Sequence, residues 1–316
     1  MNATFGPFLV ILAALLTGYL FRRSGRFVPD ASKTLNTYVI AIALPAVILS
    51  QLPRFLRNLA SSGTAFDSAV IFLPIVPWII FLVAIPFFGA LYRLGMIRRD
   101  QWGMLVLTAG LGNTSFVGLP LLDALLGPES LPPALLLDQL GTFLALSVGG
   151  PLWISYFREG PRPEARQVLR DVMRFPPFLA ILIAFFAAAL GEWPAVVQDA
   201  LERVATTLVP VALVSVGVQL QFRGSLLRSE GKGLAVGLGY KMVLAPVFIW
   251  AFASLLGMSE PTREIAVLEA AMAPMITATV LAMEAGLAPN LGALMLGIGI
   301  PLSLVTVPLI HLAFPL

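Results

Sequence analysis

Ten stretches of this chain are apolar over about the 20 residues that a helix needs to cross the hydrocarbon of a bilayer. They run over about 5–21, 35–52, 68–92, 102–126, 131–157, 175–191, 197–220, 233–256, 263–285 and 290–314. Nothing in hydrocarbon replaces water as a hydrogen-bond partner, so such stretches are held to helices that satisfy their own backbone. The connections are mostly short, and none is long enough for a soluble domain. Only 12% of the 316 residues are charged, against about 25% in soluble domains. A soluble chain of this make-up could not cover its own surface. The sequence therefore predicts an all-α, multi-pass membrane protein.

Orientation follows from the basic residues, which concentrate on cytoplasmic loops. Fifteen of the 20 Lys and Arg residues fall in alternate loops: Arg22, Arg23, Arg26 and Lys33; Arg93, Arg98 and Arg99; Arg158, Arg162, Arg166, Arg170 and Arg174; Arg223, Arg228 and Lys232. Four fall on the other side, Arg54, Arg57, Arg203 and Arg263. This bias places both termini on the extracytoplasmic side of a cell membrane. The opening MNATFGPFLV has neither a basic leader nor a small-residue cleavage site, so residues 5–21 are expected to stay as the first span. The linker at 158–174 is expected to lie on the inner surface, with Val168, Leu169, Val172 and Met173 against lipid.

The two halves resemble each other. FGPFLVIL (5–12) and FPPFLAIL (175–182) share six of eight residues. LPAVILS (44–50) and VPVALVS (209–215) share a proline and a serine, and 107–129 aligns without gaps to 268–290. The expected organisation is a five-helix repeat over 1–157, a cytoplasmic linker over 158–174 and a second repeat over 175–316. Five spans is an odd number, so the second repeat must be inverted. Inverted repeats around a midplane site are a secondary-transporter architecture.

GLGNTSFVGLP (110–120) interrupts the fourth span, and Pro274 interrupts the ninth at the position aligned with Asn113. Irregular backbone at membrane depth survives only inside protein or along a wet cavity. Two breaks at equivalent positions of inverted repeats are expected to meet near the bilayer centre. Each break presents the N-terminal end of a half-helix, with free N–H groups and a partial positive charge that attract anions. Ionisable groups within spans are functional suspects. Here they are Lys241, Asp138 beside Gln139, and Glu269. For Lys241 the readings are snorkelling to the interface, a salt bridge with Asp138 or Glu269, or attraction of an anionic substrate. For Glu269 they are a structural partner of Lys241 or a carboxylate that couples a proton or sodium. Asp138 and Gln139 are read as lining a cavity or as packing two helices together.

Other chemistries are not supported. The chain has no cysteine and one histidine, so no disulfide, metal site or Ser-His-Asp set is expected. No nucleotide-binding loop, basic nucleic-acid patch or cofactor motif is present. The protein is not expected to be an enzyme.

GLGNTSFVGLPLL (110–122) resembles the Asn-Thr-Gly-Phe-like, Gly-x-Pro-Leu pattern of bacterial members of the auxin efflux carrier family. IALPAVILSQL (42–52), LLLDQLGTFLAL (135–146), YKMVLAPV (240–247) and AAMAPMITATVLAMEAGLAPNL (270–291) resemble other spans of that family, so the likeness covers the whole chain. The resemblance implies ten helices in two inverted five-helix repeats, with helices 4 and 9 broken and crossing, a scaffold and a transport domain, and elevator-type alternating access. It also implies small carboxylates as substrates, such as malate, malonate or auxin-like acids. By this likeness Asn113, Pro274, Thr114, Ser115, Met275, Ile276 and Thr277 flank the substrate. A homodimer suits such a carrier, because a fixed scaffold helps a moving domain. The bile acid sodium symporters share the architecture. Their sodium-site pattern is met here by Glu269 and Met272, but Ala273 and Pro274 stand where they carry amides. The expected activity is thus secondary transport of a small organic anion, by export or coupled to protons. The alternatives are sodium-coupled symport of bulkier amphipathic acids, and a membrane anion sensor that does not transport.

Overall fold

A computed structural model describes residues 5–28, 30–61, 68–157, 164–220 and 226–313, with the side chains of 5–8 and 168 excepted. Arg158, Arg162 and Arg223 of the basic loops, and the side chain of Val168, lie outside the described residues. All regular structure among the described residues is helical. Among the described residues, six helices are long and apolar enough to cross a membrane: Ala31–Ala60, Ile75–Arg93, Pro128–Ser155, Ala195–Gln219, Leu227–Leu255 and Pro289–Ala313. A seventh arises if Ala165–Arg174 and Pro176–Leu190, bent by 68° from each other, are one span. Two consecutive prolines, Pro176 and Pro177, cause that bend. They hold Phe175 in extended backbone (φ −73°, ψ 118°) and start a fresh helix at its first turn.

Two further apolar stretches are each divided in two. One forms Arg99–Thr108 and Thr114–Leu126, the other Glu260–Ala270 and Ile276–Glu284. At 1.5 Å per residue, a ten-residue half covers about 15 Å, half of the hydrocarbon thickness.

Proline also shapes the unbroken helices. Five π-helical turns occur among the described residues: Val39–Ala43, Thr114–Gly118, Leu137–Thr142, Ala145–Gly149 and Tyr240–Leu244. In four of them a proline stands two residues past the last π residue, namely Pro45, Pro120, Pro151 and Pro246. A proline inside a helix has no N–H to donate, and its ring collides with the carbonyl four residues back. Widening the preceding turn moves that carbonyl aside and keeps the helix continuous. The Ala245 N–H accordingly reaches back five residues to the Tyr240 carbonyl.

By packing, the chain forms two compact units, and neither is a sequence half. One takes Met1–Ser68, Ser115–Leu135 and Met173–Leu220. Within it Phe5–Arg23 lies along Leu208–Gln219. Glycine makes that approach possible: a Cβ on Gly217 would sit 2.2 Å from the Leu15 carbonyl oxygen, and one on Gly18 2.1 Å from that of Val214. Close backbone approach through small residues is how helices associate where lipid removes the hydrophobic drive. Polar ties complete the unit. Tyr38 and Thr207 share a hydrogen bond of 2.8 Å, Trp193 Nε1 donates to the Leu49 carbonyl at 2.8 Å, and Arg57 Nη1 donates to that of Gly191 at 2.9 Å.

The other unit takes Ala69–Thr114, Leu136–Val172 and Gln221–Leu316. Its buried core includes Phe88, Met104, Leu105, Leu107, Leu111 and Met295. At one end Tyr92, Trp102, Trp153, Tyr156 and Phe157 pack ring against ring. The indoles are anchored through Trp102 Nε1 to the Ile85 carbonyl (3.1 Å) and Trp153 Nε1 to that of Gly103 (3.0 Å). Such amphipathic rings suit a membrane interface. Beside them, Gln101 Nε2 donates to the buried Glu230 carboxylate at 2.7 Å and Arg98 Nη2 at 3.2 Å. The linker departs from expectation at one residue. Leu169 and Met173 are exposed, but Val172 is buried against protein and does not face lipid.

Candidate functional site

The two breaks meet. Helix Arg99–Thr108 ends ahead of Gly110-Leu-Gly112, and helix Glu260–Ala270 ends ahead of Pro274. The two irregular segments then pair as an isolated antiparallel bridge between Gly112 and Pro274. The Asn113 N–H donates to the Ala273 carbonyl (2.7 Å), and the Met275 N–H donates to that of Leu111 (3.2 Å). Each break thus satisfies the other's exposed backbone, which is the requirement for non-helical chain at membrane depth. Past the bridge, helical structure resumes at Thr114 and at Ile276. The bridge pairs Pro274 with Gly112, one residue before its partner Asn113 in the alignment of the halves.

The ionisable residues gather at this crossing, all inside the second unit. Gly112 packs so tightly that a Cβ there would lie 2.9 Å from Lys241 Nζ and 3.3 Å from the Glu269 backbone oxygen. Lys241 is 1% exposed and sits in the π turn before Pro246. Its ammonium is buried at the bridge, so it does not snorkel to an interface. Placed there, it lies near the Glu269 carbonyl at the C-terminal end of helix Glu260–Ala270, where a cation is favoured. Asp138 is also 1% exposed. It accepts hydrogen bonds from Thr114 Oγ1 and from Gln139 Nε2. Glu269 is buried, within electrostatic reach of both Lys241 and Asp138. Neither of its carboxylate oxygens has a hydrogen-bond partner among the described residues.

The expected site residues divide accordingly. Asn113, Thr114, Asp138, Gln139, Lys241, Glu269 and Pro274 are all buried and belong to the second unit. Met275 is half-buried and Ile276 is buried just past the bridge, while Thr277 points to an exposed face. Ser115 is half-buried and counts with the first unit. Thr279 follows the break but is not among the expected site residues; its hydroxyl donates to the Met275 carbonyl at 2.7 Å. Sequence reasoning missed Tyr240, whose hydroxyl donates to the Ile80 carbonyl at 2.7 Å and fixes the turn that carries Lys241. The position of Tyr240 next to an intramembrane lysine was the available signal.

The first unit holds a cavity of about 660 Å³. Apolar side chains such as Ile11, Val47 and Leu208 line much of it, with Gln51, Asp123 and Glu202 as polar members. Two carboxylates and no cation make it a poor resting place for an anion.

The model of the family described as membrane transport proteins matches residues 3–156 and 158–311. The chain belongs to this family, that of the auxin efflux carriers. Its relatives include an uncharacterized transporter of Methanothermobacter thermautotrophicus, 26% identical over 95% of both chains. Another, from Methanocaldococcus jannaschii, is 29% identical over 67% of both chains and is also an uncharacterized transporter. This family member is therefore a multi-pass membrane transporter and not an enzyme. At the crossing of its broken helices, irregular backbone and the buried Lys241, Asp138 and Glu269 side chains come together.

Proposed function

We propose that this transporter is a secondary carrier of small organic anions, carboxylates such as malate, malonate or auxin-like acids, working by an elevator-type movement. The observation that carries the reading is the crossing itself: two half-helices begin at Thr114 and Ile276, next to a bridge that holds the buried Lys241 ammonium. Helix N-termini and an ammonium together favour a carboxylate. Asn113, Thr114, Gln139 and Met275 are the contacts expected for the rest of the solute. The reading takes ten spans in two inverted repeats, counting Phe5–Arg23, the bent pair and the two broken helices with the six long ones. The Gly112–Pro274 bridge, Lys241, Asp138 and Glu269 lie within one compact unit, so bridge and charges would travel as a body past a scaffold, with both termini outside and a homodimer holding the scaffold still.

The sodium-symporter alternative is less favoured. The Ala273 and Leu111 carbonyls at the crossing already accept backbone N–H groups, and Ala273 and Pro274 supply no side-chain oxygen. Energetics then depend on direction. An anion leaving a negative-inside cell gains about 2.3 kcal/mol per charge per 100 mV, whereas accumulating it requires a co-transported cation. The test is uptake of labelled malate, malonate and indole-3-acetate into proteoliposomes. Saturable uptake competed by other carboxylates supports the reading, and uptake of only cations or neutral solutes would refute it.

A further inference from the structure

This inference rests on the carrier reading and names the residue that couples it. Around Gly112 the structure gathers one ammonium, Lys241, and two carboxylates, Asp138 and Glu269, each no more than 2% exposed. The two carboxylates are treated differently. Asp138 receives hydrogen bonds from Thr114 and Gln139, which is how a protein keeps a buried carboxylate charged. Glu269 receives none at either oxygen among the described residues. A buried carboxylate without donors is relieved by taking up a proton and becoming neutral. One ammonium offsets one carboxylate, and a proton settles the second.

We propose that Glu269 is the proton-carrying residue of this transporter. A proton from water bonds to one Glu269 carboxylate oxygen on one side of the membrane. That O–H bond breaks and the proton returns to water on the other side, one proton for each anion carried. Nothing is oxidised or reduced, and the cycle is electroneutral for a monovalent anion.

The position suits the role. Glu269 is the penultimate residue of helix Glu260–Ala270, and its own carbonyl packs on Gly112. A shift of the crossing on solute binding therefore moves the backbone that carries its carboxyl. Among the described residues, the helices packed against its helix bring no competing titratable group. Of the helices packed against Glu260–Ala270, Ala245–Leu255 brings none, and Ile75–Arg93 carries Tyr92 and Arg93 only at its last two positions. Pro289–Ala313 carries His311, which is engaged by Glu264. Tyr240 is engaged by the Ile80 carbonyl. Lys241 and Asp138 are left as the charges that act on Glu269.

Two measurements on the purified full-length protein test this. The first needs no substrate: an infrared pH titration of the ligand-free protein. The carbonyl stretch of a protonated carboxyl should be present near neutral pH, vanish in Glu269→Gln, shift in Glu269→Asp and persist in Glu264→Gln. A band unchanged in Glu269→Gln overturns the proposal. The second uses proteoliposomes with labelled malate. An inward proton gradient should drive accumulation in the wild type. Glu269→Gln should lose accumulation down to the ungated background yet retain malate–malate exchange. Accumulation driven by sodium, or equal loss of exchange and accumulation, overturns it. If the wild type carries no carboxylate at all, the carrier reading fails, and the infrared band alone decides whether Glu269 holds the proton.

Discussion

At the scale of single residues, energetic consequences follow from what each buried polar group touches. Glu230 is the common acceptor for Gln101 and Arg98. Asp100, hydrogen-bonded to the same guanidinium, raises the Arg98 pKa above its usual value, with Glu230 adding to it, so Arg98 stays charged at any working pH. Glu230→Ala leaves the buried Gln101 amide without an acceptor, a loss of about 1–3 kcal/mol. The expected result is a lower melting temperature, partly recovered in Glu230→Gln, which keeps one acceptor oxygen. The sequence displayed the site residues unevenly. Lys241, Asp138 and Glu269 stood out because charge in an apolar run has few innocent explanations. Glu230 did not, because it lies near the start of its span, where water is close, and its partners are 129 and 132 residues away. Thr277 and Thr279 show the same limit. A broken helix has no fixed phase, so the sequence could not say which threonine faces inward.

At the scale of elements, proline and glycine carry the design. The breaks were legible as breaks, since Gly110, Gly112 and Pro274 weaken any helix through them. The π turns were not, because a proline in a span reads equally as a kink. Pro246→Ala restores an N–H and lets the Tyr240–Leu244 turn close to ordinary α-helix, which removes one residue of slack and rotates Lys241 by about 100° off the crossing. Uptake should be lost while the melting temperature holds or rises, because an interior proline costs about 3 kcal/mol. Unchanged uptake would mean that the turn does not place Lys241. Gly217→Val acts through packing alone. It drives a side chain into the Leu15 carbonyl, and overpacking of this kind costs about 1–3 kcal/mol. A melt of that variant should show a clear drop, with solute affinity unchanged in whatever folds.

At the scale of the whole molecule, the all-helical, multi-pass character was readable from hydropathy; among the described residues six helices, or seven with the bent pair, are long and apolar enough to span, and membership of a membrane transporter family agrees with that character. The grouping of helices into two compact units was not readable. Each unit draws on both halves of the chain, and likeness between two stretches of sequence does not say which helices pack together. The elevator reading predicts that a probe within the moving unit meets both aqueous phases in turn. The chain contains no cysteine, so Met275→Cys gives a single clean target. An impermeant maleimide should label it from either face in oriented vesicles, and a saturating carboxylate should slow labelling from both. Labelling from one face only, under all conditions, would contradict alternating access.

The central claim is that the crossing of the broken helices binds a small organic anion, and a thermal melt of the purified protein tests it most directly. Melting is followed against a panel of mono- and dicarboxylates, with and without sodium, for the wild type and for Asn113→Ala. A solute that binds only the folded state raises the melting temperature with its concentration. The account predicts a sodium-independent, concentration-dependent rise with at least one small carboxylate, absent in Asn113→Ala. No rise with any acid in the panel, or an equal rise in wild type and variant, would contradict it.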